Sequence, residues 1–337
     1  MITGHGNDSY RYSHPIRYDF SSNIGGGVDL SSLKEHIATH LNLIETYPQP
    51  APITLEKELA KSLSIDPACV CVTSGAVEAV YLVAQTWAGS SSAIVAPTFM
   101  EYEDACRMNR HALKRIASPD ELGDSPQLVW LCNPNNPTGK VIERAFLTAL
   151  LRSHPHILFV IDRSYENFTM EPQMGVGEAL ALPNVIQIHS MTKRYAIPGL
   201  RLGYMTGCAA LVDRVRSFTR PWSVNSLAIE AALYLLSHPC DIDIESCLHE
   251  AQRLQGRLRG LGEKLEVMPT CTHFMLARLR ERRACDLKEY LIKQHGLLIR
   301  DASNFAGLDE HFFRVAAQTV QADDILVNAI DEWLRKS

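Results

Sequence analysis

A lysine that closely follows two hydroxyl side chains is the residue best suited to covalent chemistry in this sequence. Ser190, Thr192 and Lys193 come directly after the apolar run Val185–His189, and Arg201 follows further along. An ammonium group among apolar neighbours is disfavoured, and an amine with a near-neutral pKa can form a Schiff base. The forked guanidinium of Arg201 suits a phosphate group. Taken alone, the same pattern also fits an ordinary exposed lysine.

Polar side chains also follow two earlier apolar runs. Asn136 lies in the segment NPNNPTG after Leu128–Cys132, where two prolines stiffen the turn. Asp162 closes the run Ile157–Ile161, and Tyr165 follows it within one turn. A carboxylate at the end of a buried strand needs a cationic or protonated partner. The alternatives are simple turn formation for the asparagines and a helix N-cap for Asp162.

A turn of small residues precedes a predicted helix earlier in the chain. Thr73–Glu78 reads TSGAVE, so Gly75, Ala76 and Val77 would present backbone N–H groups that lack partners within the helix. Together with the positive end of the helix dipole, such a turn suits a phosphate. A plain N-cap turn explains the same residues when they are taken alone.

Strand and helix patterns alternate through this part of the chain, which positions the polar residues. The strand candidates are Cys69–Val72, Ala93–Ala96, Leu128–Cys132, Ile157–Ile161, Val185–His189 and Leu202–Thr206. Several are apolar throughout, as in strands that helices cover on both faces. The pattern predicts an α/β fold with a mostly parallel sheet wound by helices. Ligands bind beyond the carboxyl ends of such strands, so the polar residues above would meet at one edge.

The pattern changes near Pro221, beyond which long helices and short strands indicate a smaller α+β unit. The residues before about 45 contain the run Gly25–Gly27 and little regular pattern, which suggests an arm that returns to the smaller unit. The predicted division is an arm over 1–45, a large ligand-binding domain over 46–220 and a small domain over 221–337.

Composition narrows the classes of function. Among 337 residues, 46% are hydrophobic and 21% are charged, which is ordinary for a globular chain. The formal net charge of −5 argues against nucleic acid or an anionic membrane as partner. No apolar stretch approaches the roughly 20 residues that a membrane helix needs. The amino terminus lacks the basic and apolar parts of a signal peptide, so we expect a cytoplasmic protein.

Along the chain, the turn at Gly75 comes first, then Asn136, then Asp162 with Tyr165, and finally Lys193 with Arg201. Together, in this order, the four polar segments describe a site for pyridoxal 5′-phosphate. The sequence resembles the fold type I aminotransferase superfamily from about Tyr47 to Arg314, most specifically in NPNNPTG and SMTKRYAIPGLRLGY. The resemblance implies that Lys193 holds the cofactor aldehyde as a Schiff base and later moves protons. It also implies that Asp162 keeps the pyridine nitrogen protonated, which makes the ring an electron sink.

The same resemblance implies the remaining cofactor contacts. Asn136 and Tyr165 would hydrogen-bond the ring hydroxylate, and Tyr102 would stack on the ring. The residues implied to hold the cofactor phosphate are Gly75, Ala76, Val77, Ser190, Thr192 and Arg201. Tyr47 matches a residue that reaches the cofactor of a neighbouring subunit, which implies a homodimer with shared active sites.

Two families of this superfamily share those residues: threonine-phosphate decarboxylases of cobalamin biosynthesis and histidinol-phosphate aminotransferases. The closer resemblance is to the decarboxylases, for example in RPWSVN at Arg220–Asn225. The residues that it implies around a small phosphorylated amino acid are His5, Asn23, Arg300 and Arg314. Forked guanidinium groups match both a phosphate and a carboxylate. The implied reaction converts L-threonine O-3-phosphate to (R)-1-amino-2-propanol O-2-phosphate and CO2.

Other functions remain open at the level of sequence. One is an aminotransferase for a phosphorylated amino substrate such as histidinol phosphate, and another is a non-catalytic ligand-binding module on the same fold. No G-x-G-x-x-G follows the first strand, which disfavours a nicotinamide dehydrogenase. Two positions depart from the family pattern: Arg163 replaces an acidic residue, and Gln318 stands where the decarboxylases tend to carry a second arginine.

Two histidine pairs have spacings that metal sites also use. His36 and His40 are four positions apart, and His154 and His156 are two apart. Neither pair has a suitably spaced carboxylate or cysteine nearby in the sequence, so no metal site is expected.

Overall fold

The computed structural model describes residues 8–24, 28–123, 126–239 and 242–336. Within these ranges the strands are β1 Tyr18–Asp19, β2 Val70–Thr73, β3 Ser91–Val95, β4 Ala112–Ile116, β5 Leu128–Cys132, β6 Leu158–Asp162, β7 Val185–Ser190, β8 Gly203–Gly207, β9 Leu265–Val267, β10 Phe274–Leu279, β11 Leu297–Leu298, β12 Arg300–Asp301 and β13 Phe312–Ala316. The helices are α1 Ser31–Thr39, α2 Ile53–Leu63, α3 Ala76–Thr86, α4 Glu101–Met108, α5 Arg144–Ser153, α6 Val176–Leu180, α7 Met191–Arg194, α8 Ala209–Arg216, α9 Ser226–Ser237, α10 Ile244–Arg259, α11 Ala284–His295 and α12 Val320–Arg335.

The predicted apolar runs form one buried central sheet in the order β2-β8-β7-β6-β5-β3-β4. Strand β8 is antiparallel to both of its neighbours, and the other adjacent strands are parallel, which confirms the mostly parallel sheet. Cys132 pairs with Asp162, which in turn pairs with Ile188, so β5, β6 and β7 end side by side. Their carboxyl ends therefore deliver three polar loops to one edge.

Helices cover both faces of this sheet, which explains the continuous apolar runs. Trp130 and Val160 pack into one apolar cluster, whereas their neighbours Val129 and Phe159 pack into another on the opposite face. Successive strand residues point to opposite faces, so both must be apolar when both faces are covered. The edge strand β4 was not predicted, because its sequence ALKRI is largely exposed and breaks the apolar pattern.

A second, four-stranded sheet lies in the carboxyl-terminal part of the chain, in the antiparallel order β12-β13-β10-β9. Helices α10 and α12 pack on it through Leu254, Leu258 and Trp333, which belong to one apolar cluster. This arrangement is the predicted smaller α+β unit.

The amino-terminal segment contacts both parts of the molecule. Strand β1 pairs in parallel with β11, and Phe20 lies in the apolar cluster of the small sheet. Helix α1 instead packs against α9, with Leu33 buried in the cluster that also contains Val70 of the central sheet. The domain limits at residues 45 and 220 stay a prediction, although α1 and α9 share this apolar cluster with the central sheet. None of the described helices is both long and apolar enough to cross a membrane.

Candidate active site

A cavity of about 310 Å³ lies between the carboxyl edge of the central sheet and the small sheet. The site residues predicted from sequence that line it are Asn23, Ala76, Val77, Tyr102, Asn136, Asp162, Tyr165, Ser190, Thr192, Lys193, Arg201, Arg300 and Arg314. Gly75 immediately precedes two of them and contacts Arg201 closely. Tyr47 does not line this cavity, and His5 lies outside the described residues.

Asp162 ends β6 at the floor of the cavity and is only 4% exposed. Its carboxylate accepts hydrogen bonds from the Tyr102 hydroxyl at 2.7 Å and from the backbone N–H of Ser164 at 2.8 Å. Burial raises the pKa of Asp162, and these hydrogen bonds oppose the rise. A buried carboxyl fixed in this way is a suitable partner for a protonated ring nitrogen.

Arg163, the cationic residue that stands beside Asp162 in place of an acidic one, has its own hydrogen-bond and ion-pair partners. Its guanidinium pairs with Glu166 at 2.8 Å and donates to the side-chain oxygen of Gln187 at 3.3 Å. Glu166 also contacts His189 Nδ1 at 2.8 Å. The base is therefore tolerated because Glu166 balances its charge.

Lys193 lies in the short helix α7, which begins directly after β7. Its Nζ is 5.9 Å from the centre of the Tyr165 ring. Burial lowers the pKa of the ammonium group to about 8, and the positive charges of Arg314 and Arg201 add to the effect. With this pKa roughly a tenth of the amine is neutral at pH 7, far more than for an ordinary lysine, and the neutral form is the nucleophile.

The start of α3 and Arg201 form a cradle for an anion. Gly75 has φ +86°, and a Cβ at this position would lie 2.6 Å from Nη2 of Arg201. At Gly203, a Cβ would lie 2.5 Å from the backbone nitrogen of Ala76. Both glycines are therefore needed for the close approach of α3, Arg201 and β8. The free N–H groups at the helix start and the guanidinium suit a phosphate.

Tyr102 lies in α4 with its ring nearly parallel to Trp130, at 5.8 Å between ring centres. Burial raises its pKa, and the nearby Asp162 charge acts in the same direction. The phenol therefore stays protonated and donates to Asp162, and its ring lines the cavity. Ser190 and Thr192 place hydroxyl groups on the same wall.

Arg314, from β13, connects the two walls of the cavity. Its guanidinium donates to the side-chain oxygen of Asn136 and, at 2.6 Å, to the carbonyl oxygen of Ser21. Burial lowers the pKa of Arg314 to about 10. The charge of Arg300 lowers this pKa further, whereas Tyr165 raises it. Two guanidinium groups thus lie close enough to influence each other, which favours an anionic ligand between them.

Asn23 and Arg300 complete the wall opposite Lys193. The side-chain amide of Asn23 donates to the Tyr165 hydroxyl at 3.3 Å, while its buried Oδ1 accepts no hydrogen bond within the described residues. Arg300 donates to the side-chain oxygen of Asn304 at 2.7 Å and lies over the ring of Phe305. A buried amide oxygen without a donor is expected to receive one from a ligand.

His273 was missed by sequence reasoning. It is fully buried directly before β10, behind the cavity lining, and packs against Phe168 with 4.3 Å between ring centres. Burial lowers its pKa to about 3, with Arg314 and Lys193 contributing, so the imidazole is neutral. A histidine in an apolar strand carries no sequence signal that distinguishes it from a core residue.

Two other positions of interest lie outside the cavity lining. Tyr47 is 85% exposed and packs against Trp222 with 5.4 Å between ring centres. Gln318 donates through its side chain to the carbonyl oxygen of Asp19, and its backbone N–H donates to Asp323 at 3.0 Å. The departure at Gln318 therefore affects the junction with β1 rather than a group that faces the cavity.

Comparison with known proteins agrees with this geometry. The sequence profile of class I and II aminotransferases matches residues 30–330. The chain is 31% identical to the threonine-phosphate decarboxylase of Salmonella typhimurium over 93% of this chain and 90% of that one. It is 28% identical to the histidinol-phosphate aminotransferase of Caldanaerobacter subterraneus over 88% and 85% of the two chains.

The fold agrees as well. The crystal structure of L-threonine-O-3-phosphate decarboxylase from Porphyromonas gingivalis superposes with a TM-score of 0.92 at 37% identity, covering 94% of this chain and 99% of that one. A buried carboxyl, an amine of lowered pKa and an anion cradle around one cavity are the donor set that pyridoxal phosphate needs. The chain belongs to the class I and II aminotransferase family, whose members depend on pyridoxal 5′-phosphate.

Proposed function

We propose that this protein decarboxylates L-threonine O-3-phosphate to (R)-1-amino-2-propanol O-2-phosphate for cobalamin biosynthesis. The observation that carries the proposal is the pair of buried guanidinium groups, Arg300 and Arg314, in the cavity that Lys193 also lines. A substrate with both a phosphate and a carboxylate offers one anion to each of them. The 31% and 37% identities to proteins named as threonine-phosphate decarboxylases support the same substrate class.

The residues on the sheet edge would hold the cofactor. Lys193 would bind the aldehyde carbon through its ε-amine, and Asp162 would pair with the ring nitrogen. Asn136 and Tyr165 would hydrogen-bond the ring hydroxylate, and Tyr102 would stack on the ring. The residues proposed to hold the phosphate are Gly75, Ala76, Val77, Ser190, Thr192 and Arg201.

Bound pyridoxal phosphate supplies an electron sink for whichever Cα bond of the amino substrate stands perpendicular to the ring. The chain decides which bond that is. Arg300 and Arg314 would fix the substrate phosphate and carboxylate, and Asn23 would line the substrate position beside them. With the carboxylate held perpendicular, the substrate would lose CO2. Lys193, whose lowered pKa suits proton transfer, or a nearby acid would then supply the proton to Cα.

An aminotransferase acting on a phosphorylated amino substrate is the second candidate. The 28% identity to a histidinol-phosphate aminotransferase favours it, and the same Lys193 would remove the Cα proton if the Cα–H bond were perpendicular. The residues proposed to hold the cofactor serve both reactions. Which reaction occurs therefore depends on the substrate orientation that the opposite wall of the cavity imposes.

One experiment distinguishes the two candidates. Purified protein loaded with pyridoxal phosphate is incubated with L-threonine O-3-phosphate, and separately with histidinol phosphate plus 2-oxoglutarate. CO2 and keto acid are measured in the first mixture, and glutamate is measured in the second. The proposal predicts one CO2 per aminopropanol phosphate and no keto acid from the first mixture. Keto acid without CO2 from the first mixture, or glutamate formation in the second mixture with no CO2 from the first, would overturn the decarboxylase assignment.

We also propose a homodimer in which Tyr47 reaches the cofactor of the second subunit. The proposal is supported by a group of exposed apolar side chains that a second subunit could cover: Leu41, Ile44, Tyr47 and Trp222. Sedimentation velocity of the native protein should give the mass of two chains, and a Tyr47→Ala variant should bind the cofactor more weakly. A monomer with full activity would contradict the proposal. The cytoplasmic location stays a prediction that cell fractionation can test.

A further inference from the structure

Two histidines and a glutamate meet on the surface that α1 and α9 share, and none of them lines the cavity. His36 lies in α1, His40 directly follows the helix, and Glu230 lies in α9. His36 Nε2 is 2.7 Å from Glu230 Oε1, and His40 Nε2 is 3.9 Å from the same oxygen. The carboxylate partner that the sequence did not supply nearby therefore comes from a helix almost two hundred residues away.

His40 turns its Nε2 towards the carboxylate and its Nδ1 towards the backbone of α1. Its Nδ1 is 2.8 Å from the carbonyl oxygen of His36 and 3.1 Å from the Thr39 hydroxyl, which itself donates to that carbonyl. We assign the proton to Nδ1, because the carbonyl oxygen can only accept. In the neutral imidazole, Nε2 then has its lone pair directed towards Glu230. Metal-binding histidines commonly donate their other ring N–H to a backbone carbonyl in this way.

Ring packing holds the two imidazoles in place. The His36 ring stacks on Tyr234 with 4.3 Å between centres and lies 4.2 Å from the His40 ring. The side chains of His36, His40 and Glu230 are 22%, 38% and 26% exposed. They are therefore ordered by neighbours but still open to water and to an ion from solution.

We propose that His36, His40 and Glu230 bind a divalent transition-metal ion, best matched by Zn²⁺, with water completing the coordination. Two imidazole nitrogens and one carboxylate oxygen, with an open fourth position, form a recurrent zinc ligand set. The ligand atoms already lie within 4.8 Å of one another. Tetrahedral zinc places its ligand atoms about 3.3 Å apart. Small side-chain rotations would therefore suffice to widen the His36–Glu230 contact and to shorten the His40–Glu230 contact.

The ion would link α1 to α9 on the large part of the molecule. Helix α1 leads into the segment that carries Leu41, Ile44 and Tyr47, so the link would fix the start of that exposed apolar face. An ion that binds the folded chain through residues brought together only by folding stabilises the fold.

The test uses the full-length protein loaded with pyridoxal phosphate, freed of metal with a chelator and then dialysed. Zn²⁺ is titrated calorimetrically at a pH of about 8, where ordinary imidazoles are neutral. We expect one Zn²⁺ per chain, and no binding of Mg²⁺ to these nitrogen ligands. His40→Ala and Glu230→Gln should each weaken zinc binding by at least about tenfold.

His156→Ala is the matched control, because His156 belongs to the other close histidine pair and is exposed. This variant should bind zinc like the parent. In the unmodified protein, Co²⁺ should give the visible absorption of a tetrahedral site, and Zn²⁺ should abolish it. Zinc affinity unchanged in both His40→Ala and Glu230→Gln, or no stoichiometric binding to the parent, would show only a histidine–glutamate ion pair and overturn the proposal.

Discussion

The two walls of the cavity are built in different ways. On one wall, Asp162 ends a strand of the central sheet, and Asn136 and Lys193 follow two others within a few residues. On the other wall, Asn23 comes from the amino-terminal segment and Arg314 from the small sheet, at nearly opposite ends of the chain. On the proposed assignment, the chemistry resides at one sheet edge, and the choice of substrate depends on how a second unit is placed over that edge.

The two walls are joined by hydrogen bonds rather than by apolar contact alone. Arg314 reaches Asn136 across the cavity, and Asn23 reaches Tyr165. Each pair combines a residue proposed for the substrate with one proposed for the cofactor. Arg201 and Arg300 belong to neither of these pairs, so substitutions there should give separable effects on the two walls, and the following predictions test that separation.

The largest effect is expected from Lys193→Ala, because this variant removes the nucleophile and the proton-transfer group of the cofactor wall. Activity with L-threonine O-3-phosphate should fall by at least about 10³-fold. The measurement is CO2 release at saturating substrate and cofactor. Lys57→Ala, an exposed lysine of α2, is the control and should retain the parent rate. Substantial activity in Lys193→Ala would remove the central residue from the account.

Arg201→Gln and Arg300→Gln form a matched pair on opposite walls. Loss of a charged hydrogen bond corresponds to roughly a 10- to 100-fold change in binding. Arg201→Gln should raise the Kd for pyridoxal phosphate by that factor, whereas Arg300→Gln should raise the substrate KM. Cofactor titration by absorbance and initial-rate kinetics at saturating cofactor measure the two effects. If Arg300→Gln weakens cofactor binding and leaves KM unchanged, the division into walls is wrong.

The pH dependence of cofactor capture sharpens the comparison through Lys193. Burial lowers the pKa of its ammonium group to about 8 in the cofactor-free protein, so the neutral amine increases through that pH and then saturates. The rate of cofactor binding should rise about tenfold between pH 7 and 9 and level off, whereas an ordinary lysine gives a continued rise towards its pKa near 10.4. Stopped-flow absorbance measures the rate. A rise without a plateau would show that the amine is not desolvated.

The smallest effect is expected from Gln318→Ala, at the departure from the family pattern. The side chain bonds to the carbonyl oxygen of Asp19 outside the cavity lining, so kcat/KM should change by less than about threefold. The free energy of unfolding should fall by about 1 kcal/mol through loss of this hydrogen bond. Chemical denaturation and initial rates measure both quantities. A large increase in KM would place Gln318 among the substrate residues after all.

The same contrast explains what the sequence could predict. Asn136, Asp162 and Lys193 were recognisable because they follow apolar strands in ordered, specific segments. The edge strand β4 was missed, because exposed polar residues hide its pattern. The balance of Arg163 by Glu166 and the approach of Glu230 to His36 depend on tertiary packing, which spacing along the chain does not encode. His5 lies outside the described residues, so its role stays a prediction.

The most direct test asks which amine carries the cofactor. The protein loaded with pyridoxal phosphate is reduced with borohydride, digested and analysed by mass spectrometry. The account predicts one phosphopyridoxyl group per chain, on the peptide that contains Lys193, together with loss of visible absorbance. A label on any other lysine, with Lys193 unmodified, would contradict the assignment of this cavity as the cofactor site.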